Sequence, residues 1–310
     1  MRAIIADRPG APAVIHDVEV PIIQPDEVLV RVHAASVNPI DWKRRDGAYG
    51  QTGFPMILGQ DYAGTVQVVG DEIRDFAQGD RVFGVAPRGA YAEFLAAKVP
   101  GPIAKIPEGL DDAQAAALPT AGLTALAAVE EVGLRPGQTV LILGATGGVG
   151  GFAAQIARAH GATVIATAHS GKEDLARSFG ATEVHAYDRG NVLAELEHAH
   201  PHGVDAIIDL VSDRATLQKL AAVLKRGGHV VSTVGAADRE WFQARQQHAT
   251  NLSFSQSPFY STDGLNQLAE LVASDLVRVR LGTEVSFTQA EHVLEESKAG
   301  KIDGKAVLTV

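Results

Sequence analysis

The chain has 310 residues and a formal net charge of −10 at pH 7, with 27 Lys and Arg against 37 Asp and Glu, and it contains no cysteine. The length suggests two domains, and the missing cysteine excludes disulfides, iron–sulfur clusters, thiolate nucleophiles and Cys-ligated zinc. The acidic balance argues against a broad polyanion-binding surface, so no nucleic-acid partner is expected.

The N-terminus and the hydropathy pattern predict a cytoplasmic protein without a membrane partner. Arg2 and Asp7 bring charge too early for the apolar segment of a secretion signal. The longest weakly polar stretch, residues 113–129, is Ala-rich and is interrupted by Pro119 and Thr120, which makes it a poor membrane span.

The first third of the chain has the pattern of a β-rich domain. Residues 27–33 alternate apolar and polar side chains, as a half-buried strand does, and residues 65–69 and 80–85 are short β-branched runs. Glycines between these runs supply turns. Short strands separated by turns predict a barrel-like or sandwich-like β domain.

Near residue 120 the pattern changes to buried strands that alternate with helices. The expected strands cover 139–143, 163–168, 183–186, 205–211 and 229–234. A helix through Leu217 and Leu224 is expected to end at residues 225–228. This alternation predicts a parallel, doubly wound sheet. A helix at 265–274, another at 289–299 and a strand at 306–310 complete the chain.

Residues 144–151 (GATGGVGG) directly follow the predicted strand 139–143 and open a predicted helix. Glycine lets the backbone turn sharply and lets a pyrophosphate approach the main chain, while the helix N-terminus offers N–H groups to the phosphate. This context predicts a dinucleotide-binding loop. The alternative is a turn whose glycines serve only the close packing of helix on strand.

The tip of the second strand of this unit, residues 169–172 (HSGK), carries no Asp or Glu of the kind that usually holds the ribose 2′-hydroxyl of NAD. A hydroxyl and an ammonium suit a 2′-phosphate instead, with Ser170 as a neutral donor and Lys172 as a point-charge partner. The cofactor is therefore predicted to be NADP(H). The alternative, which the nearby Glu173 and Asp174 keep open, is that Ser170 caps a helix and Lys172 is a solvated lysine.

Several motifs, in order along nearly the whole chain, resemble the medium-chain dehydrogenase/reductase superfamily, and within it the zinc-independent quinone oxidoreductases of the zeta-crystallin-like group. These motifs are SVNPID at 36–41, LGQDYAG at 58–64, GDRV at 79–82, PTAGLTA at 119–125, the glycine loop and GKAVL at 304–308. The resemblance implies an α/β fold with a GroES-like β-rich catalytic domain over 1–119 and 259–310. A doubly wound parallel-sheet (Rossmann) dinucleotide-binding domain would occupy 120–258, and the protein would be a homodimer.

The zinc-dependent alcohol dehydrogenases of this superfamily carry a catalytic Cys where this chain has Asn38, and a His–Glu pair where it has Gln60 and Asp61. Asn and Gln are poor zinc ligands, so the resemblance implies no catalytic metal. The histidines of residues 198–202 (HAHPH) are the other metal candidates. Pro201 and the position between a helix and a strand indicate a solvated loop there instead.

Without zinc, a reduced nicotinamide can deliver hydride to a quinone or an α,β-unsaturated carbonyl if hydrogen-bond donors stabilise the charge that develops on oxygen. The resemblance gives Asn38 as such a donor and Asp41 as the residue that fixes a neighbouring donor. Tyr49 matches a tyrosine that lines the cleft, and Lys43 stands where some relatives have Tyr. The alternative for Asn38 and Asp41 is a helix start, with Pro39 at the first helical position.

The resemblance also implies a set of cofactor contacts along the chain. Thr120 would reach the nicotinamide, Thr146, Gly147, Gly148 and Val149 would lie under the pyrophosphate, Ser170 and Lys172 would face the 2′-phosphate, Tyr187 would lie near the adenosine, Val211 and Val234 would end strands at the carboxyl edge of the sheet, and Lys305 would come from the C-terminal return. Tyr187 is equally consistent with strand-end packing, and Lys305 with a surface position.

The leading hypothesis is a zinc-independent, NADPH-dependent oxidoreductase that transfers hydride to a quinone or an α,β-unsaturated carbonyl. The alternatives are a zinc-free alcohol or carbonyl dehydrogenase and a non-catalytic NADPH-binding sensor or structural protein.

Overall fold

A computed structural model of the chain describes residues 1–50 and 53–310. These residues divide into two compact units. The first unit comprises Met1–Leu123, Phe259–Ser274 and Val279–Val310, and the second comprises Thr124–Pro258 and Asp275–Arg278. The first change of unit therefore falls a few residues beyond the predicted boundary at 119/120.

The strands and helices are numbered in chain order. The strands are β1 (Arg2–Ala6), β2 (Val14–Asp17), β3 (Glu27–Val37), β4 (Met56–Ile57), β5 (Asp61–Val69), β6 (Arg81–Val85), β7 (Phe94–Lys98), β8 (Ile103–Lys105), β9 (Thr139–Leu143), β10 (Thr163–Ala168), β11 (Glu183–Ala186), β12 (Val204–Asp209), β13 (Leu224–Ser232), β14 (His248–Asn251), β15 (Leu281–Ser286) and β16 (Lys305–Thr309). The α-helices are α1 (Pro39–Arg45), α2 (Asp112–Ala117), α3 (Pro119–Val132), α4 (Gly148–Ala159), α5 (Glu173–Ser178), α6 (Val192–Ala199), α7 (Arg214–Leu220), α8 (Arg239–Gln243), α9 (Thr262–Ala273) and α10 (Ala290–Lys298). Among the residues given positions, no helix has both the length and the apolar character needed to cross a bilayer.

The first unit is built on two sheets, which confirms its predicted β-rich character. A three-stranded sheet has the order β2-β1-β4, and a larger sheet runs β15-β16-β3-β5-β6-β8, with β7 also paired to β3. Apolar side chains such as Val28, Val30, Tyr62 and Leu308 form a common core. Because β3 lies in the middle of the larger sheet, Asn38, which directly follows this strand, is buried inside the unit.

The strand register of this sheet brings three strand ends together. β3 runs antiparallel to β5, with Ser36 opposite Asp61, and antiparallel to β16, with Val37 opposite Ala306. In an antiparallel pair the next residue on one strand faces the preceding residue on the other, so Lys305 lies beside Asn38. The end of β3 and the starts of β5 and β16 therefore supply side chains to one place.

The second unit contains a parallel six-stranded sheet in the order β11-β10-β9-β12-β13-β14. This order, in which the chain turns back at β9, is that of the Rossmann fold, and it confirms the predicted doubly wound sheet. β9 and β10 are almost wholly buried apolar runs, as strands covered on both faces should be. The carboxyl ends of the parallel strands share one edge of the sheet, where such folds bind nucleotides.

Residues 225–228 do not end a helix, and that prediction is wrong. α7 already ends at Leu220, and β13 starts at Leu224. The pairing of β12 with β13 is irregular near Val204, and Gly227 has a φ of +74°. The glycines are thus accommodated inside an irregular strand, which the Lys225 ammonium holds to the Asp205 carboxylate at 2.7 Å.

The sequence predicts that Val211 and Val234 end strands, but both lie just beyond the observed strand ends. β12 stops at Asp209, whose Oδ1 accepts the N–H of Val211 at 3.3 Å. β13 stops at Ser232, whose Oγ accepts the N–H of Val234 at 3.3 Å. These side-chain bonds to the following backbone favour a turn over a longer strand. Both valines still lie next to the carboxyl edge of the sheet.

Candidate active site

A buried polar network occupies the place where β3, β5 and β16 meet. It consists of Asn38, Asp61, Thr120 and Lys305, and it is called the Asn38 network below. Asn38 is 3% exposed, Asp61 0% and Lys305 4%. Each member comes from a different stretch of the chain: the end of β3, the start of β5, the first turn of α3 and the start of β16.

The Asp61 carboxylate is the acceptor at the centre of this network. The Thr120 hydroxyl donates to Oδ1 at 2.5 Å, and the Thr120 N–H lies 3.1 Å from both carboxylate oxygens. The Ser36 hydroxyl donates to Oδ2 at 3.2 Å. Burial raises the pKa of Asp61 and lowers that of Lys305, and the attraction between the two charges opposes both shifts. Lys305 supplies the cation that makes a buried carboxylate tolerable here.

The Asn38 amide links the two charges and is held at both ends. Its Oδ1 accepts from the Lys305 ammonium at 2.5 Å, and its Nδ2 donates to Asp61 Oδ2 at 2.8 Å. An ammonium can only donate and an ionised carboxylate can only accept, so these partners fix which end of the amide is which. The second N–H of Nδ2 is then a donor of fixed direction.

Asn38 is also the N-cap of α1, which confirms the helix-start interpretation, and its site role stays a prediction. Asp41 Oδ2 accepts the Asn38 N–H at 2.8 Å and the Tyr91 hydroxyl at 2.9 Å. Asp41 Oδ1 is buried and has no hydrogen-bond partner among the described residues. Burial above all, with the Asp61 charge adding to it, raises the pKa of Asp41 to about 7, against the donors Asn38 and Tyr91.

Asp41 should therefore make the stability of the folded protein depend on pH. The unfolded chain releases this proton near the ordinary pKa of 3.8, and the folded chain releases it near 7. Between these values the unfolded state binds fewer protons, so the stability that the neutral acid provides at low pH is lost as pH rises towards 7. Asp41→Asn, which mimics the neutral acid, should remove this fall, which is on the order of 2–4 kcal/mol.

Urea unfolding of the wild type and Asp41→Asn at pH 5 and pH 8 measures the difference. The exposed Asp71 provides a matched control, because Asp71→Asn removes one carboxylate from the same unit without burial. An Asp41→Asn variant with the pH dependence of the wild type would contradict the assignment.

The structure does not include every predicted catalytic residue in the Asn38 network. The Lys43 ammonium lies 5.6 Å from the centre of the Trp42 ring. Tyr49 is 67% exposed, just before the two residues outside the described ranges. Their catalytic roles stay predictions. Lys305, by contrast, is buried, so the alternative of a surface lysine is wrong.

Sequence reasoning missed Ser36 and Tyr91 and did not give Asp61 a site role. Asp61 was visible as one of the two residues at the positions of the family's His–Glu pair. The hydrogen-bond partners of Asp61 depend on strand register, although the motifs at 36–41, 58–64, 119–125 and 304–308 contain Asn38, Asp61, Thr120 and Lys305.

In the second unit, the glycine loop joins β9 to α4, with Gly147 as the N-cap. Packing explains two of its glycines: an added Cβ would lie 2.7 Å from the Val211 side chain at Gly144, and 2.2 Å from the Gly144 carbonyl oxygen at Gly150. At Gly147 the nearest atom would be 3.6 Å away, an ordinary contact. Packing does not require glycine at 147, whereas close approach of a pyrophosphate does. The loop therefore fits a dinucleotide, with Thr146, Gly148 and Val149 beside Gly147.

We expect Gly147→Ala to fold normally and to bind a nicotinamide dinucleotide about tenfold more weakly, because the added methyl group lies where the pyrophosphate approaches. Gly150→Ala should instead destabilise the fold, since its Cβ would meet backbone at 2.2 Å. Thermal unfolding and fluorescence titration of both variants separate the two effects. Wild-type affinity in Gly147→Ala would indicate a glycine that serves the turn alone.

At the end of β10 the structure adds a carboxylate that residues 169–172 themselves lack. Asp188, from the segment after β11, accepts the Ser170 N–H at its Oδ1 and the Ser170 hydroxyl at its Oδ2, both at 2.7 Å. His169 Nε2 lies 3.5 Å from Asp188 Oδ2, and the His169 and Tyr187 rings meet edge to face. Lys172 ends the short 3₁₀ turn at Ser170–Lys172. The Ser170 hydroxyl, predicted to donate to a 2′-phosphate, is thus bonded together with the Ser170 N–H to a carboxylate of the chain.

The sequence predicts a solvated loop at the histidine-rich segment, residues 198–202, but the structure shows helical residues and side-chain contacts there. His200 closes α6, and its Nε2 lies 2.8 Å from Glu183 Oε2. The other oxygen of Glu183 lies 2.6 Å from His185 Nε2, and His185 Nδ1 lies 3.0 Å from Glu195 Oε2. This chain of contacts ties α6 to β11. Among the residues that have coordinates, no three or more His, Cys, Asp or Glu side chains are arranged so that they could hold a metal ion.

Comparison with known proteins adds independent information on this arrangement. Residues 24–108 match the family described as the alcohol dehydrogenase GroES-like domain, and residues 148–274 match the family described as zinc-binding dehydrogenase. The chain is 35% identical to a quinone oxidoreductase of Rattus norvegicus over 325 residues, which cover 99% of this chain and 97% of the relative.

Solved structures agree with these sequence matches. The quinone oxidoreductase of Coxiella burnetii superposes with a TM-score of 0.89 at 32% identity, covering 100% of this chain and 99% of that one. A structure described as an NAD-dependent alcohol dehydrogenase superposes with a TM-score of 0.88 at 27% identity, covering 100% of both chains. Relatives of this fold thus include proteins named for quinones and proteins named for NAD and alcohols, so the choice rests on the residues of this chain.

Proposed function

Because the chain belongs to the quinone oxidoreductase group of the medium-chain dehydrogenase/reductase superfamily, whose members use a nicotinamide dinucleotide, we propose that it reduces quinones or α,β-unsaturated carbonyls with NADPH and without zinc.

The observation that carries this proposal is the state of the residues at the family's zinc positions. Asn38 replaces the catalytic Cys, and its amide is bonded at both ends inside the chain. Asp61 is saturated by Thr120, Asn38 and Ser36. The Lys305 ammonium supplies the local positive charge, so a zinc ion would have to enter beside a buried cation, break the hydrogen bonds that hold Asp61 and bind a poor ligand. These residues support chemistry that needs no Lewis acid.

When bound, a reduced nicotinamide supplies the hydride, and quinones and conjugated carbonyls accept it without metal activation. The protein then has to stabilise negative charge on an oxygen. The second N–H of Asn38 Nδ2 is oriented for this task by Lys305 and Asp61. Since Asn38 is 3% exposed, it can serve only an oxygen that reaches the edge of the network.

The cofactor would be held by residues of the second unit. The backbone around Gly147 and the N-terminus of α4 suit a pyrophosphate. Ser170 and Lys172 support the 2′-phosphate of NADPH, although the Ser170 N–H and O–H are already bonded inside the chain. We therefore expect a modest preference for NADPH.

One assay separates the candidate functions. Consumption of NADPH and NADH is followed with ortho-quinones, para-quinones and small enones. Reduction of NADP⁺ and NAD⁺ is followed with primary and secondary alcohols. The proposal predicts turnover of the conjugated acceptors and none of the alcohols. Alcohol turnover alone would indicate a zinc-free dehydrogenase, and tight binding without any turnover would indicate a sensor.

A further inference from the structure

The ends of β10 and β11 place Ser170 and Asp188 side by side. The two strands are parallel, with Ala168 opposite Ala186. The residues two positions further on therefore leave the sheet together at its carboxyl edge. The backbone N–H of Tyr187 bonds to the Ala168 carbonyl at 3.0 Å, which extends the pairing to the start of both turns.

Ser170 binds the Asp188 carboxylate in the way that a backbone N–H and a hydroxyl bind an anion. One residue, Ser170, donates its N–H and its O–H to the two oxygens of one carboxylate, each at 2.7 Å. A phosphate oxygen takes the same kinds of donor. The two bonds from Ser170, helped by His169, lower the pKa of Asp188, so the carboxylate is ionised at neutral pH.

An anion at this position should affect how the protein binds the 2′ substituent, the one group that distinguishes NADPH from NADH. The 2′-phosphate of NADPH is itself an anion, and it would need Ser170 donors that Asp188 already holds. The 2′-hydroxyl of NADH is neutral and can donate to a carboxylate, as it does in NAD sites where the acid stands on the second strand. In this chain the carboxylate comes from the turn after the third strand.

We propose that Asp188 is a specificity-determining residue that disfavours the 2′-phosphate and so limits the preference for NADPH over NADH. The proposal rests on the proposed function only in requiring that a nicotinamide dinucleotide binds at this edge of the sheet. It does not depend on which acceptor is reduced.

The test measures the affinities of NADPH and NADH by fluorescence titration, without any acceptor, for the wild type and Asp188→Asn. We expect Asp188→Asn to shift the ratio of the two dissociation constants towards NADPH by about tenfold or more, because a like charge is removed beside the phosphate. Asp188→Glu, which keeps the charge, should keep a ratio close to that of the wild type. Asp188→Ser offers a second neutral variant in case the asparagine disturbs the turn.

The exposed Glu197, on α6, provides the matched control, because Glu197→Gln changes the net charge equally at a distance from Ser170 along the chain. An unchanged ratio in both neutral variants would overturn the proposal. A shift towards NADH would also overturn it, since Asp188 would then be holding Ser170 in place for the phosphate. Turnover assays on the same preparations test the proposed function separately: normal cofactor binding without turnover contradicts that function and leaves the ratio readable.

Discussion

Replacing Lys305 with methionine is expected to lower the free energy of unfolding by about 3–5 kcal/mol and the rate of acceptor reduction by about 100-fold. Lys305 is the buried cation that faces Asp61, and it also bonds to Asn38 Oδ1 and to the Val37 carbonyl. Without it, a buried carboxylate loses its counter-charge and the Asn38 amide loses the donor that fixes its direction. Urea unfolding and steady-state kinetics with the best acceptor measure the two effects.

A double variant distinguishes positioning of Asn38 from simple loss of fold. Lys305→Met combined with Asp61→Asn removes both buried charges, so most of the lost stability should return. The rate should stay low, because the amide of Asn38 is still not oriented by an ammonium. Lys301→Met, at an exposed lysine just before β16, is the control and should change neither quantity. Recovery of the rate together with the stability would assign Lys305 a purely structural role.

Replacing Arg45 with methionine is expected to lower the free energy of unfolding by about 2–4 kcal/mol. Only 4% of the Arg45 side chain is exposed, and its guanidinium bonds to Asp46 at 2.9 Å, Glu291 at 2.9 Å and Glu295 at 2.5 Å. These partners tie α1 to α10. Three neighbouring carboxylates would lose the guanidinium, while Asp46 would keep the Lys298 ammonium at 2.7 Å and Glu291 would keep the Ala13 N–H at 2.7 Å. The lower half of the range applies if solvent screens the partly exposed glutamates.

Arg44 gives a matched control one residue away on the same helix. Within residues 1–50 and 53–310, its guanidinium makes one long hydrogen bond, 3.4 Å to the Pro87 carbonyl, so Arg44→Met should cost little. Urea unfolding of both variants at low and high salt tests the ion-pair origin of the effect. Equal losses from Arg44→Met and Arg45→Met would contradict it. Because α1 begins at the residue after Asn38, a loosened α1 should also slow the reaction.

Local patterns in the sequence predicted the parts of the fold that depend on local physics. The apolar runs of β9 and β10 and the glycine loop between β9 and α4 follow from their own residues. The start of α1 follows from Asn38, Pro39 and Asp41. The motifs, taken in order, indicated the family. The fold of that family implied that both ends of the chain belong to the first unit.

The partners inside the site could not be predicted, because they depend on register between distant strands. Lys305 is 267 residues from Asn38, and Arg45 is 246 residues from Glu291. Asp188 lies 18 residues beyond Ser170, one strand further than the position searched for an acid. In each case the sequence shows an ordinary charged residue, and only pairing in the sheet or packing between helices gives it a partner.

The central claim is that the Asn38 network takes the place of zinc in a reductase of conjugated acceptors. The most direct test is the rate of quinone and enone reduction before and after exhaustive treatment with a chelator, with the zinc content measured on the same samples. We predict full activity at zinc contents far below one ion per chain. Stoichiometric zinc that is removed together with the activity, and restores it when added back, would contradict the account.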